Sequence, residues 1–394
     1  MRKCVLSTML AMTVLFSAIT IPCNVKAEVP ETESVIVSME EAKKYAVEHA
    51  AEYIATFLGL TTAGYAELSS SEEFYLGDGY DTYTYSDDVL TKNSVICFPI
   101  IQNDTVVMEL YVDYVEEEWT GTGSTELAEI LSQNYHNTQA VVYCNGEAYI
   151  ITDDGIVCRG DSSEALDYDD VVSQLAQLEG NTVSLYDAED NGNVNLGYVE
   201  NPLGGAMTLG YTPGFSVNET NYKILEMAYC LVDQNGPDGK LVKGLCWASS
   251  AVSIIRYRSG RYRDLQPYFI ASVLGKTYEE GAGTDDILAA MEKYLTGEQL
   301  NNYKSVLRTA SSMTEVQHNI NNGFPISMAI QYRILGVPFD GHVVTLIGYN
   351  VDQLIYWDSA LLQCKTTPYS KSKTSIVNEG KSYIWTTSVL IPLP

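Results

Sequence analysis

The spacing of apolar positions changes character several times along the chain. Ala42, Tyr45, Ala46, His49, Ala50, Tyr53, Ile54 and Phe57 recur three and four residues apart, the period of one helix face. Ser38-Met-Glu-Glu41 stands before them as a capping box, and Gly59 ends the run. The pattern then becomes β-like. Segments 74–85, 94–102, 105–115, 140–143 and 147–157 are rich in Val, Ile, Tyr and Thr, with Asn103-Asp104 and Asn145-Gly146 as hairpin tips. A short helix is predicted at 125–133. Residues 201–215 hold Pro202, Gly204, Gly205, Gly210, Pro213 and Gly214, an exposed linker of the kind proteases cut.

Helical spacing returns at Gly244-Leu-Cys246-Trp-Ala-Ser-Ser-Ala251, which opens an apolar stretch through Val252, Ile254, Ile255 and Tyr257 to Gly260. This reads as a loop-to-helix junction with Cys246 in the first turn. A capped helix follows from Gly283-Thr284, and helix 316–321 passes through Gly323-Phe-Pro325 into strand 326–331. Gly341-His342 then begins a strand to Tyr349, residues 350–353 turn, and Leu354-Ile-Tyr-Trp-Asp358 runs back.

At the start, Arg2 and Lys3 precede an apolar run from Cys4 to Ile21, and Val25-Lys-Ala27 supplies small residues at a cleavage site. These parts predict a secretory signal peptide over 1–27, hence an extracellular protein with no stable membrane association. The 394 residues carry a net charge of −28, and 46% of them are hydrophobic, a globular composition of about two domains. The charge is unevenly placed. Residues 28–200 hold 4 Lys/Arg against 35 Asp/Glu, whereas residues 201–394 hold 16 of each. Such a chain lacks the basic footprint that nucleic acid requires. The break in charge near position 200 divides it into an acidic unit, 28–200, a linker with a processing site, 201–220, and a neutral unit, 221–394.

Six cysteines remain beyond residue 27: Cys97, Cys144, Cys158, Cys230, Cys246 and Cys364. That is too few for a disulfide scaffold, and their pairing is open. His49, His136 and His318 read as surface or packing residues, and the acidic runs 116–118 and 167–170 as solvated faces. Cys246 differs from the other cysteines. Free N–H groups at a helix start favour thiolate, the form a sulfur nucleophile needs. The hairpin brings Asp358 beside His342, where it accepts the Nδ1 proton and orients the ring toward Cys246.

Cys-Trp-Ala at a helix start, then Gly-His-Val-Val with Gly-Tyr behind it, then an acid after a Trp, resembles the papain-like cysteine peptidases. Asp358 follows His342 by 16 residues, a separation found in that clan, and His342 follows Cys246 by 96. The shorter second spacing is similar to the compact secreted bacterial branch of the staphopain and streptopain kind, or to peptidases described as C39-like. The resemblance implies an α+β fold, with a helical half carrying Cys246 and an antiparallel sheet half carrying His342 and Asp358. It implies a Cys246–His342–Asp358 triad, with Gln234 helping the Cys246 N–H to hold the oxyanion, and no metal or organic cofactor. Gln234 lies 12 residues before Cys246, about twice the family's usual distance, so segment 237–243 must loop out. Asp358 stands where papain and the staphopains have Asn. Protein or peptide substrates are implied, and so is a zymogen whose helix-plus-antiparallel-sheet prosegment, residues 28–200, serves as its inhibitor.

The charge contrast suggests electrostatic docking of that segment, with Arg256, Arg258, Arg261 and Arg263 as counter-surface. Two other functions stay open: the same triad acting on a non-protein amide or in acyl transfer, and a non-catalytic extracellular binding module.

Overall fold

Helix α1 (Met39–Thr62) starts where Ser38 Oγ accepts the N–H of Glu41 at 3.1 Å. It runs three residues beyond Gly59, because Gly59 answers a packing need and not a stop. A Cβ there would lie 2.3 Å from the ring of Tyr222, so only glycine lets helix and ring meet. The computed structural model describes residues 38–115, 117–158, 166–179, 193–202, 217–219, 222–300, 302–307, 311–334, 337–370 and 374–393. The leader expected at 1–27 and most of the 201–220 linker lie outside them.

After α1 come β1 (Phe74–Leu76), β2 (Tyr80–Ser86), β3 (Val89–Gln102), β4 (Thr105–Val115) and β5 (Glu118–Ser124). Helix α2 (Ala128–Asn134), β6 (Thr138–Cys144), β7 (Glu147–Thr152), β8 (Gly155–Cys158), α3 (Tyr168–Glu179) and β9 (Val194–Gly197) complete the acidic half. Two expected strands are each split in two. The Gly77-Asp78-Gly79 step separates β1 from β2, and the turn before Gly155 separates β7 from β8. The acidic runs have local work. Glu117 takes a left-handed φ of 69° in the β4–β5 turn, and Asp167 accepts the Asp170 N–H at the start of α3.

The second half holds β10 (Val217–Glu219), β11 (Tyr222–Ile224), α4 (Cys246–Ser259), α5 (Pro267–Val273), α6 (Thr284–Tyr294), β12 (Lys304–Leu307) and α7 (Met313–Asn321). It ends with β13 (Ile326–Ile334), β14 (Val337–Asn350), β15 (Gln353–Asp358), β16 (Gln363–Pro368), β17 (Ser375–Asn378) and β18 (Lys381–Leu390). Seven α-helices and one large sheet among the described residues are compatible with the α+β class.

The sheet runs β12–β18–β13–β14–β15–β16 in this half, with β17 extending the β12 edge and β11 the β13 edge. In the acidic half it runs β5–β4–β3–β2–β6–β7–β8, and only β2–β6 is parallel. The halves meet where Thr366 of β16 pairs with Gly123 of β5. The Thr367 hydroxyl then bonds the carbonyls of Gly121 and Ser375, bringing β17 to the same seam.

Residues 36–394 form one compact unit, and its largest core draws on both halves. Ala46, Tyr53, Ile54 and Phe57 of α1 pack in the same cluster as Met328, Leu346 and Tyr356. Polar bonds cross the seam as well. Thr56 Oγ1 donates to Gln353 Oε1 at 2.6 Å, Tyr222 Oη to the Thr56 carbonyl at 3.2 Å, and Tyr65 Oη to the Leu225 carbonyl at 3.0 Å. Lys365 and Glu126, both buried, form an ion pair of 3.3 Å across it. Burial pushes the neighbouring Glu109 carboxyl up to about 7, against the Leu127 N–H that it accepts.

Gly59→Ala is expected to lower unfolding stability by roughly 1–3 kcal/mol, because the methyl must displace the buried Tyr222 ring. Urea denaturation followed by tryptophan fluorescence measures this. Unchanged stability would contradict the packing of α1 beneath the second half.

Candidate active site

A 3-10 turn, Lys243–Leu245, delivers the chain into α4, and Cys246 is the helix's first residue. Gly244 makes the turn possible. A Cβ there would come within 2.6 Å of the Tyr278–Glu279 backbone. Cys246 therefore sits at the positive end of the α4 dipole. Trp247, Ala248, Ala251, Val252, Ile254 and Ile255 bury the helix. Small polar side chains fix its rotation: Ser250 is hydrogen-bonded to Ser327 of β13 and accepts from Thr345 of β14 at 2.9 Å.

His342 lies inside β14 opposite Ile330 of β13, since β14 begins four residues earlier than the pattern predicts. Asp358 ends β15, the other neighbour of β14. The imidazole donates from Nε2 to Asp358 Oδ1 at 2.9 Å. This corrects the expected use of Nδ1. The carboxylate on the adjacent strand is met by the far nitrogen of the ring, and the near one, Nδ1, is left for the sulfur. Cys246 is within hydrogen-bonding reach of that imidazole.

The electrostatics follow from burial and partners. Burial alone would lower the His342 pKa, but the Asp358 charge and hydrogen bond, with Cys246 adding, hold it well above its ordinary value. Burial would raise Asp358. The imidazolium, its hydrogen bond, Lys365 and the Ala360 N–H overcome that and bring it down to about 2. The stability contributed by His342 is present below its unfolded value of 6.5 and lost as pH rises through the raised folded one. The Asp358 contribution is present above 3.8 and lost as pH falls through about 2.

Gln234 is 1% exposed and accepts the Ser359 hydroxyl on Oε1 at 2.9 Å, which fixes the amide's orientation. The long interval to Cys246 is absorbed as a small hairpin. Asn235 bridges to Leu241, Gly236 N donates to the Lys240 carbonyl, and Val242 N donates back to Gln234 O. The segment before Gln234 is strapped on two sides. Ser249 of α4 donates to Asp233 O at 2.8 Å, and Trp357 Nε1 donates to Val232 O at 3.2 Å. All four predicted residues thus gather around the junction of α4, β14 and β15. Ser359 went unnoticed in the sequence, though it stands next to Asp358. A cavity of about 320 Å³ adjoins this corner, lined by Asp233, Asn235 and Ser359 on one side and by Glu126, Leu127 and Glu147 on the other.

The remaining candidates are placed elsewhere. His136 and His318 are exposed and His49 is half-buried beside Tyr45 and Glu52, and no cluster able to hold a metal occurs among the described residues. No disulfide joins the described cysteines, and burial pushes the Cys97 and Cys364 thiols up. The arginine counter-surface is corrected at Arg256 and Arg258, two of its four residues. Arg256 donates to the Leu265 carbonyl, and Arg258 to those of Glu298, Gln299 and Gly323 while lying over the Phe324 ring. Both serve the second half's own backbone. Among the described residues no helix is long and apolar enough to cross a membrane.

Residues 229–385, which hold Gln234, Cys246, His342 and Asp358, match the model of the Peptidase_C39 like family. This match over part of the chain indicates a cysteine-type peptidase, a hydrolase. No curated protein matches the chain. A peptidase acts on protein or peptide substrates.

Asp358→Asn keeps an acceptor for Nε2 but removes the charge that sustains the imidazolium. The alkaline limb of the pH profile for alkylation of Cys246 is expected to move to lower pH. A limb that stays in place would show that the carboxylate does not control His342.

Proposed function

We propose that the protein is a secreted cysteine endopeptidase, made as a zymogen, with a papain-like arrangement of its second half. The observation that carries this reading is the buried 2.9 Å bond from His342 Nε2 to Asp358, with Cys246 at a helix start beside the same ring. Cys246 Sγ attacks the scissile carbonyl, and the C=O π electrons pass to oxygen. The Cys246 N–H and the Gln234 amide hold that oxyanion. When the tetrahedral species collapses, His342 gives its proton to the departing amine. It then takes a proton from water, whose oxygen attacks the thioester; collapse breaks the C–S bond, releases the acid and restores the Cys246 thiolate beside the His342 imidazolium. These steps need no metal or organic cofactor. Asp358 keeps the imidazolium oriented throughout.

Latency is supported by enclosure. Cys246 is 6% exposed and His342 9%; Cys246 packs among Val232, Leu245 and Val343 of its own half, and the acidic half packs against that half elsewhere. Cutting the 201–220 linker would relieve this state, and the 1–27 leader would direct export.

Purified 28–394, with the linker trimmed, is expected to degrade reduced, unfolded casein. Cys246→Ala and His342→Ala should abolish this, and Gln234→Ala should reduce kcat about 10²- to 10³-fold. Cleavage by the Cys246→Ala protein at the wild-type rate would overturn the reading. A wild-type protein that cleaves simple amides but no casein would favour a non-protein substrate.

A further inference from the structure

We infer that the acidic half is a permanent subunit of the mature enzyme: cutting the linker leaves it bound, and activation does not depend on its release. This rests on the reading of residues 28–200 as the segment severed during maturation.

The contact between the halves has the anatomy of a domain interior. Helix α1 buries Ala42, Ala46, Ala50, Tyr53 and Phe57 in a core that also holds Tyr222, Leu346 and Tyr356 of the catalytic half; it lies on β3, β4 and β5 of its own half and meets the catalytic half at its C-terminal end, through Gly59 against Tyr222. Without α1, the ring of Tyr222, 1% exposed, would lose the helix that covers it and the Thr56 carbonyl that its hydroxyl meets. Gly59 and Tyr222 interlock so closely that the helix cannot slide past the ring. At the open edge of β16, strand β5 supplies the missing neighbour, and Gln363 exchanges side-chain bonds with Thr125 and Ser124.

Dissociation would also strand buried polar groups. Lys365 loses Glu126, Gln353 loses Thr56, and the N–H of Val377 loses the Thr122 hydroxyl. Lys365 is 1% exposed and stands on β16 two residues along from the partner of Asp358, whose carboxyl its charge helps to lower, so its stranding would reach the candidate site. Two features distinguish this contact from a charge-steered one. Its bulk is apolar, and its one buried ion pair among the described residues is screened from salt by burial.

The test uses 28–394 carrying Cys246→Ala, with a recognition sequence for a specific protease inserted after Gly205. The protein is cut to completion and run on gel filtration in about 0.1 M and about 1 M NaCl. Co-elution of both fragments at the intact mass in both salts is the expected result. Separation in either salt, including loss of the second fragment as aggregate, would overturn the inference, and separation in high salt alone would show that charge holds the halves together. Alkylation of Cys246 in the cut wild-type protein reports on the peptidase reading independently, so the two can fail separately.

Discussion

A histidine buried in a protein keeps its proton only where a negative charge is held beside it, and in this chain Asp358 is that charge. Its carboxylate is itself buried, a costly state unless the charge is paired and hydrogen-bonded. The imidazolium and the Ala360 N–H engage it directly, and Lys365 on the next strand adds attraction through space. The pair is mutually dependent: remove either partner and the other is left as an uncompensated buried group.

The fold organises itself around that requirement. Strands β14 and β15 bring the two residues into register, and Ser250, Thr345 and Ser327 fix the helix that presents Cys246 against the same strands. The Asp358-Ser359 step serves both ends of the site, since the next residue holds Gln234 by its amide oxygen. Behind this layer the acidic half supplies Glu126 to Lys365 and the helix that fills the core. The rigidity of the site therefore draws on residues far outside the stretch matched by the family model.

Much of the site could be read from local signals. The Gly-Leu-Cys-Trp junction marked a helix start, and the 16-residue interval between His342 and Asp358 marked a hairpin, because turn chemistry and strand alternation are short-range. The excess spacing of Gln234 was likewise legible as an inserted loop. Three things were not. Which imidazole nitrogen meets the carboxylate depends on where His342 falls within β14, and that is decided by pairing with β13. The role of α1 was hidden, since an amphipathic helix states that it has an apolar face and not what covers it. The charge contrast between the halves pointed to electrostatic docking by the arginines, whereas Arg256 and Arg258 are bound to their own half's carbonyls. Charge counts carry no information on geometry at that distance.

The claim at the centre is that His342 keeps Cys246 ready as a nucleophile. The most direct measurement is alkylation of the linker-cut protein at about pH 6, read cysteine by cysteine by peptide mapping, for wild type and His342→Ala. The account predicts that Cys246 is modified well ahead of Cys97, Cys144 and Cys364 in the wild type and loses that lead in the variant. Equal labelling of all thiols, or a lead that survives the loss of His342, would contradict it.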